Sequence, residues 1–146
     1  MQHSTVDIAP SPLGLAWFRI AIVYLIAGIA LGIVMGATQQ FAMRPVHAHL
    51  NLLGWTTGAL AGLFYLFFPR AAHSRLGKAH FLLHNLGVPV MMGALALVLT
   101  GNTAVVPVLI AGEMTTAAGV LVFALNMVVN VKAAPAAAMP TRMQAA

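Results

Sequence analysis

Residues 13–37 read LGLAWFRIAIVYLIAGIALGIVMGA, with one charged side chain, Arg19, near the start and none after it. An α-helix rises about 1.5 Å per residue and bilayer hydrocarbon is about 30 Å thick, so roughly 20 apolar residues make a crossing. The stretch has the length of a membrane span. Outward from it the chain repeats the pattern at Val46 to Phe68, Ala79 to Leu99 and Ala104 to Val131. Across 146 residues, 61% are hydrophobic and 6% charged, and the mean hydropathy is +0.94. A soluble domain carries roughly 25% charged residues, and no water-soluble core of this size absorbs so much apolar surface. The expected fold is all-α and integral to a membrane, with four transmembrane helices over residues 13–132. A polar segment, 1–12, precedes them, and a low-complexity, proline-punctuated tail, 133–146, comes after; neither end is expected to pack.

The net charge of +5 raises nucleic acid as a partner, but the basic residues form no stripe and that partner is excluded. They sit instead at span ends. Arg70, Arg75 and Lys78 fall between the second and third spans, Lys132 and Arg142 come after the fourth, and Arg19 lies near the start of the first. The positive-inside rule then puts both termini and the middle loop in the cytoplasm, with the loops at Gln39 to Arg44 and Gly101 to Thr103 outside. The first apolar stretch is too long for a signal-peptide core and lacks a small-residue cleavage pattern, so it is expected to stay as the first helix. With no cysteine, disulfides, thiolate metal sites and covalent haem attachment are all excluded.

Gly28, Gly32 and Gly36 recur every four residues in the first span, as do Gly54, Gly58 and Gly62 in the second. Such rows place a smooth helix face where another backbone approaches, and they indicate packing, not a particular function. Pro89 and Pro107 fall inside or near the starts of the third and fourth spans, where neighbouring groups can satisfy a freed carbonyl.

The chemistry lies in the polar residues of the spans, because lipid offers them no hydrogen-bond partner. His47 and His49 stand in the run Arg44-Pro-Val-His-Ala-His-Leu-Asn51-Leu-Leu-Gly-Trp55. Two positions apart on a helix is about 200° of rotation, so the imidazoles point to nearly opposite sides. They cannot both ligate one haem iron from one helix. Each is expected to serve a different centre, or to share one with a neighbouring helix or subunit; the alternative is a pair of interface histidines bonding loop carbonyls. His80 and His84 are four apart, hence on one face, a spacing that chelates a metal. Interface histidines bonding loop carbonyls or Asn85 explain them equally well, and His73 in the basic loop reads as solvated. Glu113 is the acidic residue within a span, beside Thr115 and Thr116. Burying its charge in hydrocarbon costs roughly 2.5 to 3.5 kcal/mol, so it is expected to face protein or water. It reads as a proton relay or ligand partner, or as a protonated carboxyl bonding a threonine.

The stretch from Arg44 to Pro69 resembles the second helix of the haem-copper oxidase catalytic subunit, most nearly that of the nitric oxide reductase large subunit and the C-family cytochrome oxidases. Those carry Arg-x-x-His and then Asn-Leu-Leu and a Trp or Gly at the outer start of a helix whose histidine binds haem b. Arg44-Pro-Val-His47 matches the first half and His49-Leu-Asn51-Leu-Leu the second, in a slightly different register. The family's twelve helices form three four-helix arcs, and one of its second helices carries His-x-His with each histidine serving a different haem.

The resemblance implies a homotrimer of a bacterial inner membrane with haem b between subunits, held by His47 of one and His49 of the next. Arg44 would meet the propionates, and Asn51 and Trp55 would complete the pocket. It implies a b-type cytochrome for electron transfer or nitric oxide or oxygen sensing or buffering, with a quinol or cytochrome as donor. Further copper, iron or zinc at His80 and His84 stays open. An enzyme of the reductase or oxidase type also stays open, although the sequence has no adjacent His-His pair for copper and no clear counterpart of the oxidase tyrosine. Two readings from other classes are a haem-free metal-delivery or assembly subunit, and a small channel lined by His47, Asn51 and Glu113.

Overall fold

The structure is a computed structural model that describes residues 10–132; the rest of the polar N-terminal segment and the tail from residue 133 lie outside the described residues. Its elements are α1 (Pro12–Thr38), α2 (Arg44–Phe67), the short α3 (Pro69–His73), α4 (Arg75–Leu99) and α5 (Val106–Asn130). A 3₁₀ turn, Thr103–Val105, leads into α5. Four of these helices are long and apolar enough to cross a membrane, by length and composition, which marks a multi-pass membrane protein.

Local chemistry sets the ends. The Ser11 hydroxyl accepts from Gly14 N at 3.4 Å ahead of Pro12, and the Ser74 hydroxyl accepts from Gly77 N at 2.9 Å. That second cap starts α4 at Arg75, four residues before the apolar run suggested, because a capped turn remains helical although it is polar. The α4–α5 hairpin turns on Gly101, at φ 99°. Asn102 N donates to Leu97 O and Gly101 N to Val98 O, both at 3.0 Å, the paired bonds of a Schellman motif that favours glycine at the left-handed position. The chain thus returns at once, and α5 lies against α4.

Within α2, the α-helical turns Arg44–His49 and Gly58–Phe67 flank a π-helical stretch, Leu50–Thr57. Nothing in the apolar pattern announces it. A π-turn holds more residues than an α-turn and so rotates the remainder of the helix about its axis.

Two apolar clusters fill the bundle. Toward the end that carries Arg70, Arg75 and Lys78, called here the basic end, Trp17, Ala61, Tyr65, Ala71 and Ala72 are buried with Phe64, Phe81 and Phe123 against them. Toward the opposite, Arg44 end, Val46, Val88, Met91 and Met92 are buried with Tyr24, Leu50 and Leu53. The outward faces are aliphatic, including Ile22, Ile26 and Ile33 of α1 and Leu121 and Val128 of α5, as a hydrocarbon solvent requires.

The backbones of α4 and α5 touch through glycine. A Cβ added to Gly87 would lie 2.7 Å from Thr116 N, and one added to Gly112 would lie 2.7 Å from Met91 N. Gly112→Val forces these helices apart and is expected to destabilise the detergent-solubilised protein by about 1–3 kcal/mol, the usual cost of overpacking. Gly93→Val, at a position with nothing within 4 Å, should melt close to the parent in the same thermal scan; equal losses in both variants would contradict the close contact.

Candidate functional site

Among the described residues the histidines of the long helices form two groups, His47 and His49 near the Arg44 end and His80 and His84 deeper in the bundle on the basic side. At the Arg44 end, His47 of α2 turns to α1, and its Nδ1 lies 2.9 Å from Gly28 O. A carbonyl oxygen only accepts, so Nδ1 carries the proton and donates. Nε2 is left with its lone pair and has no protein partner among the described residues. The approach depends on the absent side chains of α1. A Cβ on Gly32 would lie 2.9 Å from His47 Cε1, and one on Gly28 would lie 2.6 Å from Asn51 Nδ2. The expected role of this glycine row needs correction: it admits two polar side chains and not a second backbone, while Gly36 meets nothing within 4 Å.

Asn51 Nδ2 donates back to His47 O at 2.8 Å, so the asparagine ties the histidine's own turn. His49 is half-buried on α2 and donates from Nδ1 to Pro45 O at 2.7 Å, one turn back. Its Nε2 is likewise without a protein partner. His73 makes the same bond to Pro69 O at 2.7 Å in an exposed position, so the local bond alone marks no ligand. Arg44 is exposed with its guanidinium 4.5 Å above the Phe41 ring, and Trp55 is half-buried in the π-helical stretch.

At the basic end His80 and His84 are 2% and 0% exposed. They share one face of α4, with ring centroids 5.8 Å apart, and both pack on Trp17, at 4.7 and 5.1 Å. The reading of interface histidines bonding loop carbonyls or Asn85 is overturned. His80 Nδ1 meets Tyr65 Oη at 2.9 Å. His84 Nε2 donates to Leu53 O in the π-helical stretch at 3.1 Å. Asn85 Nδ2 instead donates to Phe81 O at 2.9 Å. Both lie inside, His80 packed on the rings of Trp17 and Phe123 and His84 on that of Trp17.

Behind Tyr65 the network continues. Asn126 Nδ2 donates to Tyr65 Oη at 3.3 Å and to Ala71 O at 3.2 Å, while its Oδ1 accepts from Ser74 Oγ at 3.0 Å and Asn130 Nδ2 at 2.8 Å. Trp17 Nε1 and His84 Nδ1 are buried without a hydrogen-bond partner, as is Asn85 Oδ1. As a metal site the pair lacks a third donor: among the described residues no group of three or more His, Cys, Asp or Glu side chains comes together.

Glu113 lies exposed on the outer surface of α5, where the described residues do not cover it. It does not bond a threonine, since Thr115 Oγ1 donates to Ala111 O at 2.7 Å and Thr116 Oγ1 to Gly112 O at 2.9 Å. Nor does the single chain gather His47, Asn51 and Glu113 to one lumen: the first two turn to α1 while Glu113 faces outward.

Sequence reasoning missed Trp17 and Tyr65 as neighbours of the basic-end histidines, and Asn126 and Ser74 as the continuation of the network behind Tyr65. A signal existed for Asn126, an amide inside an apolar span, by the argument that selected the histidines. For Trp17 and Tyr65 there was none, since apolar rings are ordinary in a span. No family model, curated protein or solved structure matches the chain.

Tyr65→Phe removes one hydroxyl and leaves His80 Nδ1 and one Asn126 hydrogen unpaired in the core. The expected loss is about 1–3 kcal/mol, the usual cost of stranding buried polar groups. Combining it with Asn126→Leu should lose less than the sum of the single losses, read from thermal unfolding in detergent. Strict additivity would show that the contacts do not act as one network.

Proposed function

We propose that the protein is a membrane b-type cytochrome that binds haem b through His47 and His49 at interfaces between copies of the chain. The observation that carries this reading is the His47 imidazole, whose Nδ1 proton goes to a carbonyl of another helix, which orients the ring and leaves Nε2 as a donor atom. His49, held only by a local bond to Pro45 O, is compatible with the same role. Haem-ligating and metal-ligating histidines are held in the same manner, by an oriented bond from the other ring nitrogen. His47 is the better held, since its carbonyl belongs to another helix and its ring is seated against Gly32.

The residues fit the group. Two neutral nitrogen donors suit a low-spin haem iron, and the exposed guanidinium of Arg44 suits a propionate. When bound, the haem supplies one-electron redox chemistry, with a potential tuned by its axial ligands and their burial. The chain's own part is to fix the imidazole tautomers, to hold them in an apolar surround and to offer Arg44 at the Arg44 end. His47 turns to α1 and His49 does not, so a second copy is the source of the other ligand. A trimer closes that arrangement and answers to the resemblance in α2, with both termini in the cytoplasm of a bacterial cell and the inner membrane as its location. Glu113, outward on α5, is then covered by a neighbour.

Protein expressed with ample haem supply and purified in mild detergent should show Soret and alpha bands in a reduced-minus-oxidised spectrum and run as a trimer by native mass. His47→Ala and His49→Ala should each lose most of the haem, as should Gly32→Leu, which pushes the His47 ring aside; Gly36→Leu should keep it. Haem retained in both histidine variants would refute the ligands, and a monomer with full haem would refute the shared site.

A further inference from the structure

His80 also lines a recess of about 250 Å³, with Thr57, Leu60, Ala61, Val120 and Phe123. The recess opens between α2 and α5 on the outer surface of the single chain, where Leu60 is 62% and Val120 45% exposed. Any ligand that enters it comes from hydrocarbon. Its one deeply buried polar group is the His80 imidazole, and the network behind that ring sets where its proton lies. Asn126 gives its two amide hydrogens to Ala71 O and Tyr65 Oη. The phenol's single proton therefore goes to His80 Nδ1. An imidazole that accepts at Nδ1 carries its proton on Nε2, and that N–H has no protein partner among the described residues. The Thr57 hydroxyl donates to Leu52 O at 2.8 Å, so its oxygen only accepts. The recess thus offers one buried donor in apolar walls.

We infer that this recess binds a lipid-soluble ring bearing a carbonyl acceptor, of the quinone class, with the carbonyl on His80 Nε2–H and the ring's tail in the bilayer. The volume is below the roughly 300–1,000 Å³ that encloses a whole drug-sized ligand, which suits a headgroup whose tail stays outside. Phe123, with its ring centroid 4.8 Å from that of His80, offers an aromatic wall for such a ring. A phospholipid ester suits it less, because ester carbonyls lie at headgroup level and His80 is five residues past Arg75, roughly 7.5 Å into α4. The site goes beyond the haem reading and does not depend on it, since His47 and His49 are at the other end.

The test is a titration of the protein in phosphatidylcholine nanodiscs with decylubiquinone. A Trp55→Phe background leaves Trp17 as the sole tryptophan of the two, with its ring centroid 4.7 Å from that of His80. Saturable quenching of Trp17 is expected, with equal half-saturation in ester-linked and ether-linked lipid, and decylbenzene, which lacks the carbonyl, should not compete. His80→Phe should raise half-saturation about tenfold, the equivalent of about 1.4 kcal/mol. Val120→Phe, which fills the recess and leaves the polar network intact, should abolish saturation. Non-saturating quenching that is the same in all variants would overturn the site as simple partition into lipid. Tighter binding in ether lipid would reassign it to a lipid ester. Haem content, read by absorption on the same substitutions made in the parent chain that keeps Trp55, separates this outcome from that of the cytochrome reading, and His47→Ala should leave the quinone titration unchanged.

Discussion

Inside hydrocarbon, a polar side chain can rely on one partner that every helix supplies, the second lone pair of a backbone carbonyl. The bundle is organised by that constraint. His47 reaches Gly28 O across the α1–α2 contact, and His84 reaches Leu53 O across the α2–α4 contact. Asn126 joins α5 to Ala71 O and to the Tyr65 hydroxyl, which joins His80. Apolar faces in lipid slide past one another at little cost, because lipid tails are as apolar as the side chains. Each polar bond has one register, so these three fix how the helices stand against each other. The glycines answer to the same demand: the imidazole of His47 needs α1 to present its carbonyl without a side chain in the way.

The spans were legible because composition alone separates hydrocarbon from water as a solvent, and the largest shift of an end, at the start of α4, comes where the Ser74 cap extends the helix into polar sequence. The divergence of His47 and His49 was legible as helix geometry, since both sit in the regular α-helical turns before the π-helical stretch begins. That stretch was not legible. Its residues, Leu50 to Thr57, have no propensity that distinguishes π from α, and its carbonyl at Leu53 becomes the partner of His84 only when α4 is in place. The Tyr65, Asn126 and His80 association spans three helices and was hidden for the same reason. Periodicity reports which side of a helix is polar, not which helix it meets.

Proton placement divides the two ends of the bundle chemically. At the Arg44 end each imidazole gives its Nδ1 proton to a carbonyl and leaves the other nitrogen free, on His47 beside α1, which suits a Lewis acid such as iron. At the basic end the Tyr65 hydroxyl, supplied with a donor by Asn126, meets His80 Nδ1, and the proposed recess uses the N–H on the far side of that ring for an acceptor. The same residue type thus meets different neighbours on Nδ1, a carbonyl in one case and a phenol already supplied with a donor in the other.

Glu113 bears on what the single chain leaves unfinished. The rule that a membrane carboxyl faces protein or water is an energetic one, and it does not specify whose protein. On α5 the carboxyl points away from the chain's own core, and both nearby threonines bond their own helix. His49 is in a similar position on α2, with a nitrogen that has no hydrogen-bond partner among the described residues. Counting from the Arg44-end starts of their helices, His49 is five residues in and Glu113 seven, a difference of roughly 3 Å along the axis. Two polar groups at nearly the same depth, on different helices and both turned outward, favour a neighbour that approaches along both. A partner supplied by a second copy would satisfy the constraint that the rest of the bundle satisfies internally.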